Sequence, residues 1–223
     1  MRKGNIVLFG GGNQVTYTID IIEKEGKYSI VGIVDSKAEI GQIIFGYPVI
    51  GRQNEINSLM QKYSIDGGII TIGDNWSRKI VRDDIINQCP NFNFVNAIHP
   101  SVIIGSNAKL GRGVVAMAGC IINTNATIGD FCFFATGAQI EHDCTIDEYA
   151  SVSAGAITGG MVHIGKFAAV TLGVIIVDRV AIGENSVIGS GALVTSDIPA
   201  NVLAYGTPAK VIRTRNLGEK FLK

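Results

Sequence analysis

The sequence predicts a compact βαβ unit of the Rossmann-like type, followed by a parallel β-helix. Two observations support this fold class. From Ile104 to Val194 a large residue, nearly always Leu, Ile, Val or Phe, stands at every sixth position, and a small residue stands two places before it. Ahead of this stretch, between Asn5 and Asp35, an apolar strand, a Gly-rich turn, a helical segment and a second strand follow one another.

An unbroken period of six fits neither an α-helix, with its period near 3.6, nor a strand, with its period near 2. It is typical of a parallel β-helix, in which each hexad supplies a short strand and a turn. Three hexads close one coil, so residues eighteen apart in this sequence stack on one another. The large residue and the small one before it have the same parity and therefore both point inward. Cys120, Cys132 and Cys144 occupy the small inward position and are predicted core residues, and Thr158 interrupts the column of large ones.

The domain boundaries are predicted from where the period begins and ends. Residues 1–98 form the α/β domain, 99–198 the β-helix and 199–223 a C-terminal tail. Within the first domain, the patterns predict helices at 15–25, 55–63 and 76–89, a buried strand at 67–72 and a last strand at 92–98. The basic stretch that follows Arg213 and runs to Lys223 is predicted to be helical.

Composition and charge argue against two classes of partner. Lys plus Arg balance Asp plus Glu and the net charge is zero, so we expect no binding to nucleic acid. No apolar run reaches the ~18 residues of a membrane-spanning helix, so we expect no membrane insertion. The chain opens on a charged start and a short strand rather than a signal peptide, and the expected location is the cytoplasm.

Gly-rich and polar segments end the strands of the predicted α/β domain. Three glycines starting at Gly10 follow the first strand, Asp35 follows the second, and Gly73 follows the buried strand. Because the carboxyl ends of parallel strands meet at one edge of a sheet, these loops are predicted to face one pocket. The first turn is not the dinucleotide fingerprint, since Val15 stands at the position of its last Gly, and a tight turn with no ligand is the alternative.

The segment Glu141-His142-Asp143 is the strongest candidate for chemistry in the β-helix. A histidine beside a carboxylate can be held in one tautomer and stabilised when it takes a proton, as a general base requires. The alternative is an exposed histidine in a charged turn. His163 is predicted to lie at the surface or at an interface, and His99 to be structural at the domain junction.

Further motifs, taken together with this segment, resemble a known family. They are Cys144 and Ile146 after the histidine, the pair Gly159-Gly160, and the sequence GTPAK that ends at Lys210. With the βαβ unit joined directly to the β-helix, residues 5–213 resemble the hexapeptide acyltransferases of the sialic acid O-acetyltransferase-like and nucleotide-aminosugar N-acetyltransferase family, which includes the bacillosamine and perosamine acetyltransferases. The resemblance implies a left-handed β-helix and a homotrimer with active sites between subunits.

The resemblance also implies roles for individual residues. His142 matches the catalytic base, Asp143 the carboxylate that orients it, with Glu141 as the second candidate. The backbone N–H that polarises the thioester carbonyl matches Gly160. The implied acyl-CoA contacts are Gly160, Ser151, Gly206, Pro208 and Lys210, and those to the nucleotide sugar are Gly10, Gly12, Asn13, Gln14, Asp35 and Gly73. Ser151 and Gln14 stand where the family often has histidine, which leaves the acyl-pocket and sugar contacts open.

The implied function is N-acylation of the amino group of a nucleotide-linked amino-deoxy sugar, such as a 4-amino-4,6-dideoxy sugar, in the synthesis of bacterial surface glycans. The expected co-substrate is acetyl-CoA or a larger acyl-CoA, and no metal is expected. O-acylation of a sugar hydroxyl, as for sialic acid, and a non-enzymatic scaffold are the alternatives. A trimeric metal hydrase is disfavoured, because its site needs three His ligands and only His142 and His163 lie in the β-helix.

Overall fold

The structure is a computed structural model that describes residues 3–221. The chain divides into two compact units. One is made of residues up to 73 together with 77–100, and the other of residues 74–76 together with those from 101 onward. The predicted boundaries at residues 98 and 198 stay predictions. None of the helices within the described range has the length and apolar character that a bilayer crossing demands.

A five-stranded sheet forms the centre of the first unit. The elements before the β-helix are β1 (Gly4–Phe9), α1 (Gln14–Glu25), β2 (Tyr28–Val34), β3 (Ile43–Ile44), β4 (Tyr47–Gly51), a 3-10 turn (Gln53–Glu55), α2 (Ile56–Tyr63), β5 (Gly67–Ile70), α3 (Asn75–Gln88) and β6 (Ala97–Ile98). The strand order is β3-β4-β2-β1-β5, with β4, β2, β1 and β5 parallel and β3 antiparallel to β4. Helix α1 makes the crossover that the parallel pair β1 and β2 requires, so the predicted βαβ unit is confirmed.

The predicted strand at 92–98 is wrong in its extent. Only an isolated bridge between Gly68 and Phe94 and the short strand β6 form there. The rings of Phe92 and Phe94 lie 5.0 Å apart, and Phe92 also packs on Phe9 at 5.5 Å. The alternation of large and polar residues therefore reflects aromatic packing under the sheet rather than a hydrogen-bonded ladder.

The period of six returns as sixteen two-residue strands, and the predicted parallel β-helix is confirmed. These strands are β7 (Ile103–Ile104), β8 (Lys109–Leu110), β9 (Val115–Ala116), β10 (Ile121–Ile122), β11 (Thr127–Ile128), β12 (Phe133–Phe134), β13 (Gln139–Ile140), β14 (Thr145–Ile146), β15 (Ser151–Val152), β16 (Ile157–Thr158), β17 (His163–Ile164), β18 (Ala169–Val170), β19 (Ile175–Ile176), β20 (Ala181–Ile182), β21 (Val187–Ile188) and β22 (Leu193–Val194). Every third strand pairs in parallel, which gives three faces. We call the face from β7 to β22 the first, that from β8 to β20 the second, and that containing β9 to β21 the third.

The second residue of each strand points into the β-helix and forms its core, as at Ile122, Ile140 and Ile176, which are all buried. The three cysteines of the repeat are buried and free, so their predicted core position is confirmed. A buried thiol in such a position behaves as a small apolar side chain.

Two edges of the β-helix use the same backbone turn for different purposes. The His142 edge joins the first face to the second through turns 105–107, 123–125, 141–143, 159–161 and 177–179. The aromatic edge joins the second face to the third through turns 111–113, 129–131, 147–149, 165–167 and 183–185. The last residue of such a turn adopts the left-handed region, with φ of 57° at Asp143 and 61° at Tyr149.

Residues 214–221 form no helix, so the helix predicted after Arg213 is wrong over this described range. Two strands, β23 (Val202–Gly206) and β24 (Ala209–Thr214), form an antiparallel hairpin, and β23 pairs in parallel with β21. The ladder thus continues past the end of the period, because ladder bonds need only backbone groups. The β-branched residues Val211, Ile212 and Thr214 favour the strand. The last two residues of the predicted helix, Leu222 and Lys223, lie outside the described range.

Candidate active site

His142 lies on an exposed turn directly after β13. It is the middle residue of the turn 141–143, and its side chain is 49% exposed. Two backbone bonds hold the turn between its neighbours on the His142 edge: the Asp143 N–H donates to Thr124 O at 3.0 Å, and the Met161 N–H donates to His142 O at 2.9 Å. The imidazole is therefore carried by a fixed backbone and remains accessible to a substrate.

A short hydrogen bond joins the His142 ring to Asp143. Nδ1 lies 2.8 Å from Asp143 Oδ2. This bond raises the pKa of His142, and the negative charges of Asp143, Glu141 and Asp178 raise it further. Bonds from His142 and then from Asn125 lower the pKa of Asp143, so that carboxylate is ionised and only accepts. The proton therefore stays on Nδ1 in neutral His142, and Nε2 is left as the basic atom.

Two asparagines one coil earlier hold the carboxylates of the segment. Asn125 Nδ2 donates to Asp143 Oδ1 at 3.0 Å, and Asn123 Nδ2 donates to Glu141 Oε2 at 3.0 Å. The sequence analysis did not identify either asparagine. The spacing of eighteen that stacks core residues also stacks turn residues, so this period is the signal that could have found them.

Gly160 lies directly against the imidazole. A Cβ placed on Gly160 would come within 2.5 Å of His142 Nε2 and 2.6 Å of its Cε1. The space that the ring occupies thus exists because residue 160 has no side chain. The two predicted site residues, eighteen positions apart, are brought together by the stacking of coils, and with Met161, Asp178 and Arg179 they line a small cavity.

The Gly160 N–H has a partner that the sequence analysis missed. It donates to Asp178 Oδ1 at 2.6 Å. Asp178 is one coil beyond Gly160 on the same edge, so the period again points to it. A thioester oxygen can bind this N–H only when the Asp178 carboxylate moves away. The predicted polarising role of Gly160 stays a prediction with that condition attached.

The other predicted acyl-CoA contacts lie elsewhere on the β-helix unit. Ser151 begins β15 on the third face, is buried, and its Oγ has no hydrogen-bond partner within the described residues. The structure therefore does not place it on the edge that carries His142. Gly206 and Pro208 flank the turn of the C-terminal hairpin, and Lys210 lies just inside β24; all three are exposed. Their roles stay predictions.

The loops after β1, β2 and β5 meet, as the strand pattern predicts. The Gly10 N–H donates to Val34 O at 2.9 Å, and Thr71 Oγ1 donates to Gly10 O at 2.6 Å. Gly10 has φ of 111°, which only glycine adopts readily. Gly12 has open space around it, since a Cβ there would have no neighbour within 4 Å. Asn13 precedes α1 without capping it through its side chain.

Asp35 ties the second loop to the Gly-rich turn. Its Oδ2 accepts the Gly11 N–H at 2.6 Å, and its Oδ1 accepts the N–H groups of Lys37 and Ala38 at 2.7 and 2.8 Å. Burial raises the pKa of Asp35, but these three N–H groups and the Arg52 guanidinium outweigh burial and lower it. The carboxylate is ionised, with one lone-pair direction left for a further hydrogen-bond donor.

Buried Arg78 braces the third loop, and the sequence analysis did not identify it. Its Nη1 donates to Ile72 O at 3.2 Å and to Gly73 O at 2.8 Å. Gly73, a predicted sugar-nucleotide contact, is therefore held by its carbonyl, with its N–H side available for other partners. Gln14, the other predicted contact in this region, is the first residue of α1.

The remaining histidine of the β-helix has a separate partner. His163 Nε2 lies 2.8 Å from Asp147 Oδ2 on the second face, and the His163 side chain is half exposed. Within residues 3–221, no group of three or more His, Cys, Asp or Glu side chains is arranged to hold a metal ion.

Comparisons with known proteins bear on both units. The PglD N-terminal domain family matches residues 5–95. A search of curated protein sequences finds no match. Solved structures match nearly the whole chain. PerB from Caulobacter crescentus, in complex with CoA and GDP-perosamine, is 31% identical, with a TM-score of 0.87 and coverage of 94% of this chain and 98% of that one.

Two further structures agree with this match. A variant of perosamine N-acetyltransferase from Caulobacter crescentus, with one histidine replaced by asparagine and with CoA and GDP-perosamine bound, is 30% identical at a TM-score of 0.88 and covers 94% of this chain and 97% of that one. The acetyltransferase domain of PglB from Neisseria gonorrhoeae, in complex with acetyl coenzyme A, is 25% identical at a TM-score of 0.85 and covers 95% and 100%. These matches confirm the predicted fold class, a Rossmann-like domain followed by a left-handed β-helix.

Proposed function

The chain belongs to the hexapeptide-repeat sugar acyltransferases, and on that premise we propose that it transfers an acyl group from acyl-CoA to the amino group of a nucleotide-linked amino sugar. The hydrogen-bonded pair of His142 and Asp143, set over Gly160, carries this proposal. The structures of PerB and PglB support it, because they hold CoA with GDP-perosamine and acetyl coenzyme A respectively. We infer that the acyl group is acetyl and that the acceptor is a 4-amino-4,6-dideoxy sugar. We propose that the reaction takes place in the cytoplasm and that its product is used in the synthesis of bacterial surface glycans.

In the proposed reaction the amine attacks the thioester carbonyl directly. The neutral amine nitrogen adds to the carbonyl carbon, and one of its protons passes to His142 Nε2. The C–S bond then breaks as the amide forms, and the sulfur leaves as a thiolate that takes the proton from His142 to give CoA. Asp143 keeps the Nδ1 proton in place and stabilises the imidazolium that results. Glu141 adds negative charge beside the ring, and its carboxylate is anchored by Asn123 rather than by His142.

The charge around His142 favours an amine over a hydroxyl as the acceptor. Glu141, Asp143 and Asp178 all act on the ring electrostatically. The ammonium form of an amino sugar is attracted to this group of carboxylates, whereas a neutral hydroxyl is not, and the ammonium loses one proton to water before the neutral amine attacks. This supports N-acylation over O-acylation.

The donor side of the proposal uses the backbone of Gly160. When acyl-CoA enters and Asp178 turns away, the Gly160 N–H donates to the thioester oxygen and stabilises the oxyanion. We propose that Gly206, Pro208 and Lys210 contact CoA and that the Lys210 ammonium meets its phosphates. Ser151 is left outside the proposed acyl pocket, because it is buried and lies on a different face from His142.

The acceptor side uses the loops of the α/β unit. We propose that the backbone of Gly10, Gly12 and Gly73 approaches the nucleotide and that Asp35 accepts a ribose hydroxyl. Asn13 and Gln14 stand at the start of α1, where free N–H groups favour the diphosphate. No metal takes part in the proposal.

The proposed homotrimer is supported by the first face. Its outward column is apolar at nearly every coil, and several of its members are well exposed, as at Ile103 (61%) and Ile175 (49%). The column consists of Ile103, Ile121, Gln139, Ile157, Ile175 and Leu193. A contiguous apolar surface of this kind marks a protein interface. His142 borders this face, so packing of copies along it places the site between subunits.

The test is an assay of CoA release from acetyl-CoA with nucleotide-linked 4-amino sugars, beside matched sugars that carry a hydroxyl at the same carbon. We expect turnover of the amines alone. His142→Ala is expected to lower kcat about 10²–10⁴-fold through loss of the general base. The matched control is His163→Ala, which removes the other His–Asp pair and leaves kcat unchanged. Turnover of the hydroxyl sugars alone, or a normal kcat for His142→Ala, contradicts the proposal.

A further inference from the structure

One hydrogen bond of the β-helix ladder is replaced beside His142. On the His142 edge, the first residue of a turn donates its N–H to the carbonyl of the large residue seventeen positions on, as Gly105, Asn123 and Gly159 do at 2.7–2.8 Å. At Glu141 the acceptor changes. Its N–H donates to the side-chain Oγ1 of Thr158 at 3.0 Å. The turn that carries His142 is therefore entered through a side-chain bond.

The strand pairing shows the same interruption. Strand β13 pairs with β16 through Gln139 and Ile157 alone, whereas β10 with β13, and β16 with β19, each pair through both residues. The second residue of β13 loses its partner at the step where the chain leaves the strand for the turn 141–143. The irregularity is local, because the ladder resumes one coil later.

Packing in the apolar core does not explain why residue 158 is a threonine. Thr158 is 1% exposed and occupies an inward position that large aliphatic or aromatic residues fill nearly everywhere else in the repeat. A buried hydroxyl destabilises such a column unless it finds partners. Here it accepts from Glu141 N–H and lies 3.5 Å from Cys144 Sγ. Valine has nearly the same shape and would complete the apolar column. The hydroxyl thus interrupts the apolar column next to the proposed base. Departures from the regular pattern at such a place are expected to serve function.

We propose that Thr158 is a positioning residue for His142, whose hydroxyl holds the Glu141 N–H off the regular ladder and so sets the turn that places the imidazole over Gly160. This rests on the proposed role of His142 as base. The exit of the same turn is fixed by the backbone bond from Asp143 N–H to Thr124 O. The Thr158 bond is the matching anchor at its entrance, and the two together determine where Nε2 lies.

Two substitutions separate the hydroxyl from the methyl group of Thr158. Thr158→Val keeps the volume and removes the hydroxyl, so Glu141 N–H returns to a backbone acceptor and the turn shifts. We expect kcat to fall about 10–100-fold, as for a misplacement of the base of about 1 Å, with both KM values unchanged and the melting temperature equal or higher. Thr158→Ser keeps the hydroxyl and loses the methyl group, and we expect it to retain most of kcat with a lower melting temperature.

Opposite outcomes overturn the proposal. If Thr158→Val keeps wild-type kcat, or if Thr158→Ser loses more kcat than Thr158→Val does, the residue acts through packing. We expect both variants to fold, and thermal melting curves test this directly.

An NMR titration of the histidine rings keeps this test independent of turnover. Asp143, Glu141 and Asp178 face His142, so a shifted ring changes its distance to these carboxylates. We expect the His142 pKa of Thr158→Val to fall toward the ordinary value. If the His142 titration of Thr158→Val is identical to that of the wild type, the positioning role is overturned, whether or not the protein transfers acyl groups. If the titration shifts in Thr158→Val but the wild type shows no acyl transfer, only the proposed function is overturned.

Discussion

The two edges of the β-helix share one backbone turn and differ in what that turn displays. On the aromatic edge, Phe131, Tyr149 and Phe167 are buried and stack with centroid distances of 5.2 and 5.1 Å. On the His142 edge, the equivalent positions include Asp143, which is part of an exposed hydrogen-bonded pair. The same left-handed turn thus supports packing at one edge and a reactive group at the other.

The difference shows that the turn itself does not specify function. At the aromatic edge the side chains make contacts with one another, so each coil stabilises the next. At the His142 edge, hydrogen bonds also join one coil to the next. The Asn125 side chain donates to Asp143, and the Gly160 backbone N–H donates to Asp178. These bonds fix the position of His142 and leave its ring accessible, which aromatic stacking would not do.

The largest effect is expected from adding one methyl group at Gly160. Gly160→Ala places a Cβ 2.5 Å from Nε2, so the imidazole must leave its position, and we expect kcat to fall about 100-fold. The melting temperature is expected to change little, since a surface side chain can turn away.

A contrasting change on the aromatic edge is Gly165→Ala, at the first residue of a turn rather than the middle one. Its Cβ would meet the backbone of Glu184, with the nitrogen at 2.7 Å, and the backbone cannot turn away. We expect a marked fall in melting temperature for this variant. If Gly160→Ala lowers the melting temperature as much as Gly165→Ala does, the imidazole does not turn away from the added methyl group as expected.

A smaller effect is expected from Asp143→Asn. The bond to Asp143 raises the pKa of His142, and a base acts only when neutral, so activity is lost as pH falls below that raised pKa. Removing the carboxylate lowers the His142 pKa, so the acidic limb of kcat/KM moves to lower pH. The plateau is expected to drop about 10-fold because the base is weaker and its tautomer is no longer fixed.

Asp147→Asn is the control for that profile, because Asp147 makes the equivalent bond to His163 at 2.8 Å. It is expected to leave both the limb and the plateau unchanged. If the acidic limb of the kcat/KM profile of Asp143→Asn stays at the wild-type pH, a group other than His142 is responsible for that limb.

The smallest effect on activity is expected at the aromatic edge. Tyr149→Ala removes a 3% exposed ring that stacks on both sides, and we expect a loss of about 3–5 kcal/mol in the free energy of unfolding. For a chain of this size that lowers the melting temperature by about 6–20 °C, while kcat below the transition stays at the wild-type value. Met161→Ala changes an exposed side chain at the equivalent backbone position, with φ of 59°, and is expected to leave the melting temperature nearly unchanged.

Several residues around the sites could not be predicted, for two different reasons. Asn125 and Asp178 lie eighteen residues from Asp143 and Gly160, so the period points to them, but the period alone does not say which stacked turn residues are joined by hydrogen bonds. Arg78 and Thr71 offered no such signal. Thr71 donates to Gly10 O at 2.6 Å across 61 residues of sequence, and only the folded sheet brings that carbonyl within reach. Arg78 donates to Gly73 O, only five residues before it, at 2.8 Å, but no spacing rule of the sequence identifies that carbonyl as its acceptor.

The C-terminal hairpin illustrates the same limit. The side-chain period ends at Val194, but β23 still pairs with β21 through backbone bonds. A periodic pattern reports which side chains are buried and says nothing about backbone groups that continue the ladder. The two strands at 202–206 and 209–214 were therefore not predicted, and the helix predicted after Arg213 is absent up to residue 221.

By itself the sequence determined the β-helix, its core and the segment that carries His142, because a strict period of six leaves one way to bury the large residues. It also determined that Gly160 stacks one coil beyond His142. Only the tertiary structure decided that the Gly160 N–H is held by Asp178, that Ser151 is buried on another face, and that Thr158 replaces a ladder bond at Glu141. The physical reason is that burial and hydrogen-bond partners depend on which atoms come close together after the coils have stacked. For a hydrogen bond that distance is about 3 Å.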